Sequence, residues 1–367
     1  MTSYKEIAII ILLEFSFTYF FTLITIPFIN KLAFKFDFLD IPNDRKQHSS
    51  PIPRIGGIAF FAPFVINCMF NIIFLNNYFD KNILITVLIM SFCFFIIGLY
   101  DDIYEFSPFL RLVLQTLLAF IISLLEFRID SINLISLGLS NQILVFNVFL
   151  SFLFTLIWFV GVTNAINWVD GLDGLATKII LMASIGFFII SFNSQNYDAL
   201  ILSICLVGGA LGFLKYNKYP AKILMGDCGS NFFGFQIAFI GLLISKTAFL
   251  DNLYYETNSK FQYPNIHLAF LILLYPCLDM LVVILKRISR GKSPFFPDRN
   301  HFHHVLLHYG FSYQDTLKLI SSISLWLLSF SLLYINILFN KIIFIICSIY
   351  LIFIFFDIKR KKEKLKN

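Results

Sequence analysis

Apolar runs of about 20 residues recur along almost the whole chain and are separated by short polar segments. Because a bilayer offers no water to backbone N–H and C=O groups, such runs fold as membrane-crossing helices. Hydrophobic residues make up 58% of the 367 residues and charged residues only 14%, which excludes an ordinary soluble domain. The sequence therefore predicts an all-α, polytopic membrane helical bundle.

Eleven of these runs are expected to form transmembrane helices. They cover residues 7–29, 56–76, 82–100, 109–127, 143–163, 175–192, 198–214, 229–247, 266–285, 316–336 and 342–358. We predict one transmembrane catalytic domain over residues 1–358 and a basic cytoplasmic tail over 359–367. The first run lacks a basic segment before it and a small-residue cleavage site after it, which indicates a retained helix.

Lysine and arginine indicate the orientation, because cytoplasmic segments retain them. If the N-terminus is periplasmic, 22 of the 28 fall on inner segments. We therefore predict a periplasmic N-terminus and a cytoplasmic C-terminus, in a bacterial inner membrane. The net charge of +6 follows from this topology and gives no reason to expect a nucleic-acid partner. The six cysteines lack the spacing of a zinc site or a disulfide framework.

Acidic residues mark the inner ends of several predicted spans. They are Asp101, Asp102, Asp170, Asp173, Asp227 and Asp298. Carboxylates at membrane depth are costly and are functional candidates for that reason. We expect the bundle to gather them in one pocket beneath the inner leaflet. The adjacent Asp101 and Asp102 repel each other, which favours a divalent cation or a basic partner nearby; a pair that merely ends a span is the alternative.

Two glycine-rich segments carry the most specific pattern of polar residues. TNAINWVDGLDGLA (163–176) combines asparagines, aspartates and glycines at a helix boundary, which suits ribose, uracil or metal binding. PAKILMGDCGSNFFG (220–234) places Asp227 between two glycines before a span, where free N–H groups attract phosphate. Helix capping and turn formation are the alternatives for Asp170, Asn167 and Asp227.

Two inner loops carry basic residues. Residues 39–57 hold Arg45, Lys46 and Arg54 beside prolines and glycines, so the loop either binds phosphates or only marks the cytoplasmic side. Residues 286–310 hold the HFHH cluster, in which His301 and His304 would share a helix face. A zinc site would need further ligands, so an anion such as a diphosphate is favoured.

Together these segments resemble the polyprenyl-phosphate N-acetylhexosamine-1-phosphate transferase family, also called glycosyltransferase family 4, over nearly the whole chain. The motifs are PNDRKQH, PRIGG, DDIYEF, NAINWVDGLDGLA, KILMGDCGS and PDRNHFHH. The PDRNHFHH form is more similar to the N-acetylglucosamine branch than to the phospho-MurNAc-pentapeptide branch. The resemblance implies transfer of a sugar phosphate from a UDP-N-acetylhexosamine to undecaprenyl phosphate, with Mg²⁺ or Mn²⁺, to begin a cell-wall, lipopolysaccharide O-antigen or teichoic acid glycan.

The resemblance also implies residue roles. The residues expected to be catalytic are Asp101, Asp102, Asp170, Asp173 and Asp227, with Asp227 and Asp102 as metal ligands. The residues expected to bind substrates are Arg45, Lys46, His48, Asn164, Asn167, Lys222, Leu224, Arg299, His301, His303 and His304. Leu224 stands where relatives often have an aromatic residue, and Cys228 stands where a smaller residue is usual. Asp279 matches a recurring acid for which we expect a structural pairing role.

Two other classes of protein remain open. A membrane transporter would also have many spans and buried polar groups, although its site would lie near the midplane and not at inner helix ends. A lipid-linked scaffold without activity is the third class. A homodimer is left open.

Overall fold

The structure is a computed structural model that describes residues 4–41, 50–75, 77–133, 143–254, 266–296, 298–333 and 338–366. Its helices are α1 (Tyr4–Lys35), α2 (Ile58–Phe74), α3 (Lys81–Tyr104), α4 (Pro108–Leu124), α5 (Val148–Val169), α6 (Leu175–Asn193), α7 (Tyr197–Asn217), α8 (Gly226–Tyr254), α9 (Ile266–Ile272), α10 (Leu274–Ser289), α11 (Phe302–His308), α12 (Tyr313–Leu332) and α13 (Leu338–Lys366). Two antiparallel ribbons pair β1 (Leu39–Asp40) with β2 (Ile52–Pro53), and β3 (Ser131–Asn133) with β4 (Ile143–Val145). The expected all-α class is confirmed.

The helix lengths support a polytopic membrane bundle. Eight helices of the described residues are long and apolar enough to cross a membrane, and α9 with α10 would make a ninth span. The helices α2 and α4 have only 17 residues each, or about 26 Å of helix against a hydrocarbon core of about 30 Å. Each of the eleven apolar runs contains a helix, but the count of eleven spans and the orientation stay predictions.

The fifth predicted span begins later than the sequence indicated. Residues Ile143–Val145 pair with Ser131–Asn133 instead of entering the helix. The side chain of Asn147 then accepts a hydrogen bond from the backbone N–H of Leu150 at 2.9 Å, so α5 begins at Val148 and continues past 163 to Val169. This extension carries the asparagines of the NAINWV segment on a helix.

The apolar run at 266–285 is bent by 77° between α9 and α10. Pro276 lies in the first turn of α10 and has no backbone N–H. In a continuous helix its ring would also clash with the carbonyl four residues earlier, which belongs to Ile272, the last residue of α9. The span predicted over 266–285 therefore consists of two helices that meet at a break.

The helix α8 forms the centre of the bundle. In an apolar 18-residue stretch of α8 within Gly226–Lys246, 94% of the residues are buried, whereas the corresponding share is 17% in both α1 and α13. The rings of Phe94 on α3 and Phe159 on α5 pack on Phe235 with centroids 4.7 and 5.9 Å away. Both helices run antiparallel to α8, so their last residues lie beside its first residues.

A glycine permits this close approach at the beginning of α8. A Cβ at Gly98 of α3 would lie 2.1 Å from the backbone oxygen of Asp227. By contrast, a Cβ at Gly161 of α5 would have no atom within 4 Å. The two glycines therefore form a matched pair for testing how α3 packs against α8.

We expect Gly98→Ala to lower the free energy of unfolding by about 2 kcal/mol, because the added methyl group must push the backbone of α8 away. Thermal melting of the purified protein in detergent would measure the loss. Gly161→Ala should melt like the unchanged protein. Equal melting temperatures for G98A and G161A would contradict the packing described above.

Candidate active site

Asp227 lies in the first turn of α8, the central helix. The preceding Gly226 has φ of +73°, and a Cβ there would lie 2.0 Å from the backbone oxygen of Arg54, so this position requires glycine. Oδ1 of Asp227 accepts hydrogen bonds from Arg111 Nη1 at 3.3 Å and from Asn167 Nδ2. Oδ2 lies 3.8 Å from Arg54 Nη2. Asp227 is therefore the meeting point of three separate segments.

Asp102, near the end of α3, caps the beginning of α8. Its two carboxylate oxygens accept hydrogen bonds from the backbone N–H groups of Asp227 and Cys228, both at 2.9 Å. Arg54 Nη2 also lies 3.3 Å from Oδ1. The side chain is fully buried. Both oxygens thus already have protein donors, and the metal-binding role expected for Asp102 stays a prediction.

Asp101 is held by α4 and by the loop before it. Its Oδ1 accepts a hydrogen bond from the backbone N–H of Phe106 at 2.7 Å, and its Oδ2 accepts one from Arg111 Nη1 at 2.6 Å. Since Arg111 also contacts Asp227, one guanidinium joins two carboxylates. From the sequence, Arg111 was one of the basic residues that indicate the orientation, and no role in the site was predicted for it. Its position ten residues after Asp101, in the first turn of a helix, was the available signal.

Arg54 is placed by the segment that follows β2. Backbone hydrogen bonds join this segment to the residues before α8: Leu224 N–H donates to Pro53 O at 2.8 Å, and Gly57 N–H donates to Met225 O at 2.9 Å. The PRIGG and KILMGD motifs therefore lie side by side. The nearby Arg45, Lys46 and His48 fall in 42–49, outside the described residues.

The end of α5 supplies amide and carboxyl groups. Asn167 Nδ2 donates to Asp227 Oδ1 and to Ser230 Oγ, the latter at 2.8 Å. Asp170 follows the helix, and within the described residues no hydrogen-bond donor contacts its carboxyl group. Burial, and then the charges of Asp227, Asp102 and Asp173, raise the pKa of Asp170 to about 7. A cation at Asp170 would relieve this repulsion.

Two of the predicted residues hold other parts of the protein. Asp173 Oδ2 accepts a hydrogen bond from Ala221 N–H at 2.9 Å, which holds the loop between α7 and α8. Asn164 Nδ2 donates to Gln115 Oε1 at 2.6 Å, and Gln115 Nε2 donates to Asn231 Oδ1 at the same distance. Asp173 and Asn164 therefore support the site, and their expected catalytic and substrate roles stay predictions.

The two residues expected from the KILMGD motif lie at the edge of the site. Lys222 is exposed, and its backbone N–H donates to Tyr216 O at 2.8 Å. Leu224 is half-buried. Neither side chain contacts Asp227, so both remain candidates only for binding a substrate that extends beyond the acidic cluster.

Residues 298–304, called the histidine segment here, contact α10 at two places, Asp298 and His301. Arg287 donates two hydrogen bonds of 3.0 Å to the carboxylate of Asp298. Although burial alone would raise it, these bonds and those from Asn300 hold the pKa of Asp298 well below its usual range. Asp279 contacts the other end, with Oδ2 2.8 Å from His301 Nδ1.

The end of α5 joins this segment to the acidic cluster. Trp168 packs against the guanidinium of Arg287 at 5.0 Å and edge-on against the ring of His301 at 5.6 Å. A Cβ at Gly171 would lie 2.4 Å from His303 Nε2, so this glycine leaves room for the imidazole. Asn167, Trp168 and Gly171 thus contact Asp227, His301 and His303 respectively.

The three histidines differ in environment. His303 is 1% exposed, and burial, together with neighbouring His304, lowers its pKa to about 3, so its ring is neutral. Burial and the nearby His301 and Arg299 also lower the pKa of His304. Arg299 itself is exposed. The expected convergence of acidic and imidazole groups is found, whereas their chemical roles stay predictions.

The residues present fit a magnesium ion whose coordination is completed by substrate phosphates and water. Among the described residues, no group of three or more histidine, cysteine or acidic side chains is arranged to hold a metal. Mg²⁺, however, commonly binds one or two carboxylates and takes its other ligands from phosphate and water. Such oxygens are supplied by the carboxylate of Asp227 and by the carboxyl group of Asp170, to which no described residue donates a hydrogen bond. Among the described residues, no soft ligand of the kind that suits other metals contacts them.

Comparison with known proteins agrees with this site. Residues 84–245, which include all five predicted catalytic aspartates, match the model of glycosyl transferase family 4. The chain is 29% identical to a probable undecaprenyl-phosphate N-acetylglucosaminyl 1-phosphate transferase of Bacillus subtilis, over 81% of this chain and 77% of the other. It is 30% identical to the decaprenyl-phosphate N-acetylglucosaminephosphotransferase of Mycobacterium leprae, over 86% and 80%.

A third relative is the undecaprenyl-phosphate alpha-N-acetylglucosaminyl 1-phosphate transferase of Salmonella typhi. It is 30% identical, over 83% of this chain and 78% of the other. Each of these matches covers more than four-fifths of this chain and therefore extends beyond the segment 84–245. The chain therefore belongs to glycosyl transferase family 4.

Proposed function

We propose that this protein transfers N-acetylglucosamine 1-phosphate from UDP-N-acetylglucosamine to a polyprenyl phosphate, such as undecaprenyl phosphate, and releases UMP. The arrangement around Asp227 carries the proposal: Arg54 and Arg111 each contact two carboxylates where three helix ends meet. The names of the relatives support the sugar and the lipid. A transporter is not favoured, because these charges lie at helix ends and the relatives are named as transferases.

The main obstacle to this reaction is repulsion between the lipid phosphate and the diphosphate of the donor. Arg54 and Arg111 are partly exposed beside Asp227, with 25% and 14% of their side chains accessible, so their guanidinium groups can reach phosphate oxygens. His301 and His304 lie across the end of α5 from them and can donate hydrogen bonds to a diphosphate. The site therefore offers guanidinium groups on one side of the substrate phosphates and imidazole hydrogen-bond donors on the other.

The lipid phosphate needs little help to attack. The second pKa of a phosphate monoester is about 6, so most of the lipid is dianionic at neutral pH. Asp101 and Asp102 are both held by arginines and backbone N–H groups, which suits positioning of the site better than proton abstraction. No covalent intermediate is required.

A divalent cation would complete the site. Bound Mg²⁺, or Mn²⁺, would neutralise charge on the diphosphate and polarise the phosphoryl group. Asp227 would hold it, and Asp170 fits as a second ligand better than Asp102, whose oxygens already accept backbone hydrogen bonds. Asn167 fixes one oxygen of Asp227 and leaves the other directed toward Arg54.

We further propose eleven spans in a bacterial inner membrane, with the site on the cytoplasmic side, where nucleotide sugars are made available. The lysine and arginine distribution supports this orientation. The product would then begin a cell-envelope glycan such as an O-antigen or a teichoic acid linkage unit. A homodimer remains compatible with the proposal.

Purified protein should convert undecaprenyl phosphate to a lipid carrying N-acetylglucosamine diphosphate when UDP-N-acetylglucosamine and Mg²⁺ are supplied. Mass spectrometry of the lipid and release of UMP would measure the reaction. Chelation with EDTA should abolish it, and added Mg²⁺ or Mn²⁺ should restore it. Other UDP-sugars serve as controls for the donor. Vesicle uptake of UDP-sugar without any lipid product would instead support a transporter.

Asp227→Asn should lower kcat by about 100-fold or more, because the site loses the negative charge that gathers the arginines and would hold the cation. Asp37→Asn is the matched control: Asp37 is exposed, follows α1, and has φ of +59°, which asparagine tolerates well. Melting of both variants would show that they fold. An active D227N would remove Asp227 from the mechanism.

The orientation is tested with Asp37→Cys and Asp130→Cys, two positions at opposite ends of the bundle. Asp130 follows α4 at the end remote from the site, where it pairs with Arg128. A membrane-impermeant thiol reagent should label D37C only in inverted vesicles and D130C only in right-side-out vesicles. The six native cysteines provide the background in the unchanged protein. The reverse pattern would place the site outside the cell.

A further inference from the structure

Asp279 contacts the first two residues of the histidine cluster with both of its oxygens. Oδ2 lies 2.8 Å from His301 Nδ1, and Oδ1 accepts a hydrogen bond from the backbone N–H of Phe302 at 2.7 Å. Its side chain is only 4% exposed. A carboxylate can only accept hydrogen bonds, so Nδ1 must carry a proton at this distance. A proton on Nε2 alone would leave two acceptors facing each other.

The ring of His301 is also fixed by its neighbours. Trp168 packs edge-on against it, and the ring of His303 stacks on it with centroids 5.7 Å apart. Among the described residues, no hydrogen bond occupies Nε2 of His301. The ring therefore has one orientation and one free nitrogen.

We propose that Asp279 is a positioning residue: its carboxylate keeps a proton on Nδ1 of His301, so that Nε2 can carry the second proton of the imidazolium and donate a hydrogen bond to a phosphate group of the substrates. This inference rests on the proposed transferase function. Asp279 touches no substrate itself and acts through His301. It thereby extends the pairing role expected from the sequence, because a specific nitrogen is assigned to the substrate.

A double-mutant cycle tests this dependence. Asp279→Asn replaces the carboxylate by a neutral amide, which no longer favours a proton on both ring nitrogens of His301, and we expect kcat/KM to fall by about 10- to 100-fold. His301→Gln should cause a similar fall, with the same division between kcat and KM. The double variant should lose no more than about 3-fold beyond H301Q, since both changes remove one interaction.

Asp130→Asn, at the remote end of the bundle, is the control and should leave kcat/KM unchanged. Losses that multiply in the double variant would mean that Asp279 does not act through His301, and the proposal would be overturned. The same holds if D279N keeps full activity.

A spectroscopic measurement does not depend on turnover or on folding of D279N. In the unchanged protein labelled with ¹⁵N-histidine, the signals absent from H301Q belong to His301. Protonation at Nδ1, alone or together with Nε2, is expected; a proton on Nε2 alone would overturn the proposal. Failure of the proposed function would appear separately, as absence of lipid product from the unchanged protein.

Discussion

The carboxylate of Asp102 is the contact on which the site depends. It satisfies two backbone N–H groups at the beginning of α8, which would otherwise be unpaired in a buried position. Each unsatisfied donor would cost about 1–3 kcal/mol. The same contact fixes the end of α3 to the most buried helix of the bundle. Asp227 is one of the two residues whose N–H groups donate to Asp102. Its backbone is therefore fixed to the buried centre of the bundle, and the position of its side chain follows from this.

The charged side chains around Asp227 can lie close together because carboxylates and guanidinium groups alternate. Arg54 lies between Asp102 and Asp227, and Arg111 lies between Asp101 and Asp227. Each arginine thus serves two carboxylates, and a cluster of like charges becomes a connected network. Asp170 is the member outside this network, since among the described residues no arginine contacts its carboxyl group. A cation or a positively charged group of the substrate complex would balance it. The negative charge of the cluster is thus largely neutralised on the side of the two arginines, whereas the charge of Asp170, on the side of α5, has no positive partner among the described residues.

The sequence predicted the helical bundle and the gathering of the aspartates, since both follow from apolar runs and from the alternation of helix direction. It did not predict the bend between α9 and α10 or the ribbon at Ile143–Val145, because those depend on local competition between pairing, capping and a proline. It assigned Asp173 and Asn164 to chemistry and did not predict the contacts by which they also hold a loop and a neighbouring helix. Such partners come from other helices and leave no local pattern. Arg111 was missed although it lies only ten residues after Asp101, because its contact with Asp227 joins two helices that are distant in sequence.

The bent helix pair explains why the buried Asp279 of α10 determines the position of the loop that carries the histidines. Asp279, Val283 and Arg287 recur at every fourth residue and form the buried face of α10. Asp279 holds His301 at one end of this face, and Arg287 holds Asp298 at the other. The histidine segment therefore takes its position from the direction of α10, which the 77° bend sets. Trp168 then packs between Arg287 and His301, and these two contacts fix the end of α5 against α10 and the histidine segment. The indole of Trp168 thus joins the histidine segment to the end of α5, and the neighbouring Asn167 joins the end of α5 to Asp227. The direction of α10 therefore affects the position of the histidines relative to the carboxylates around Asp227.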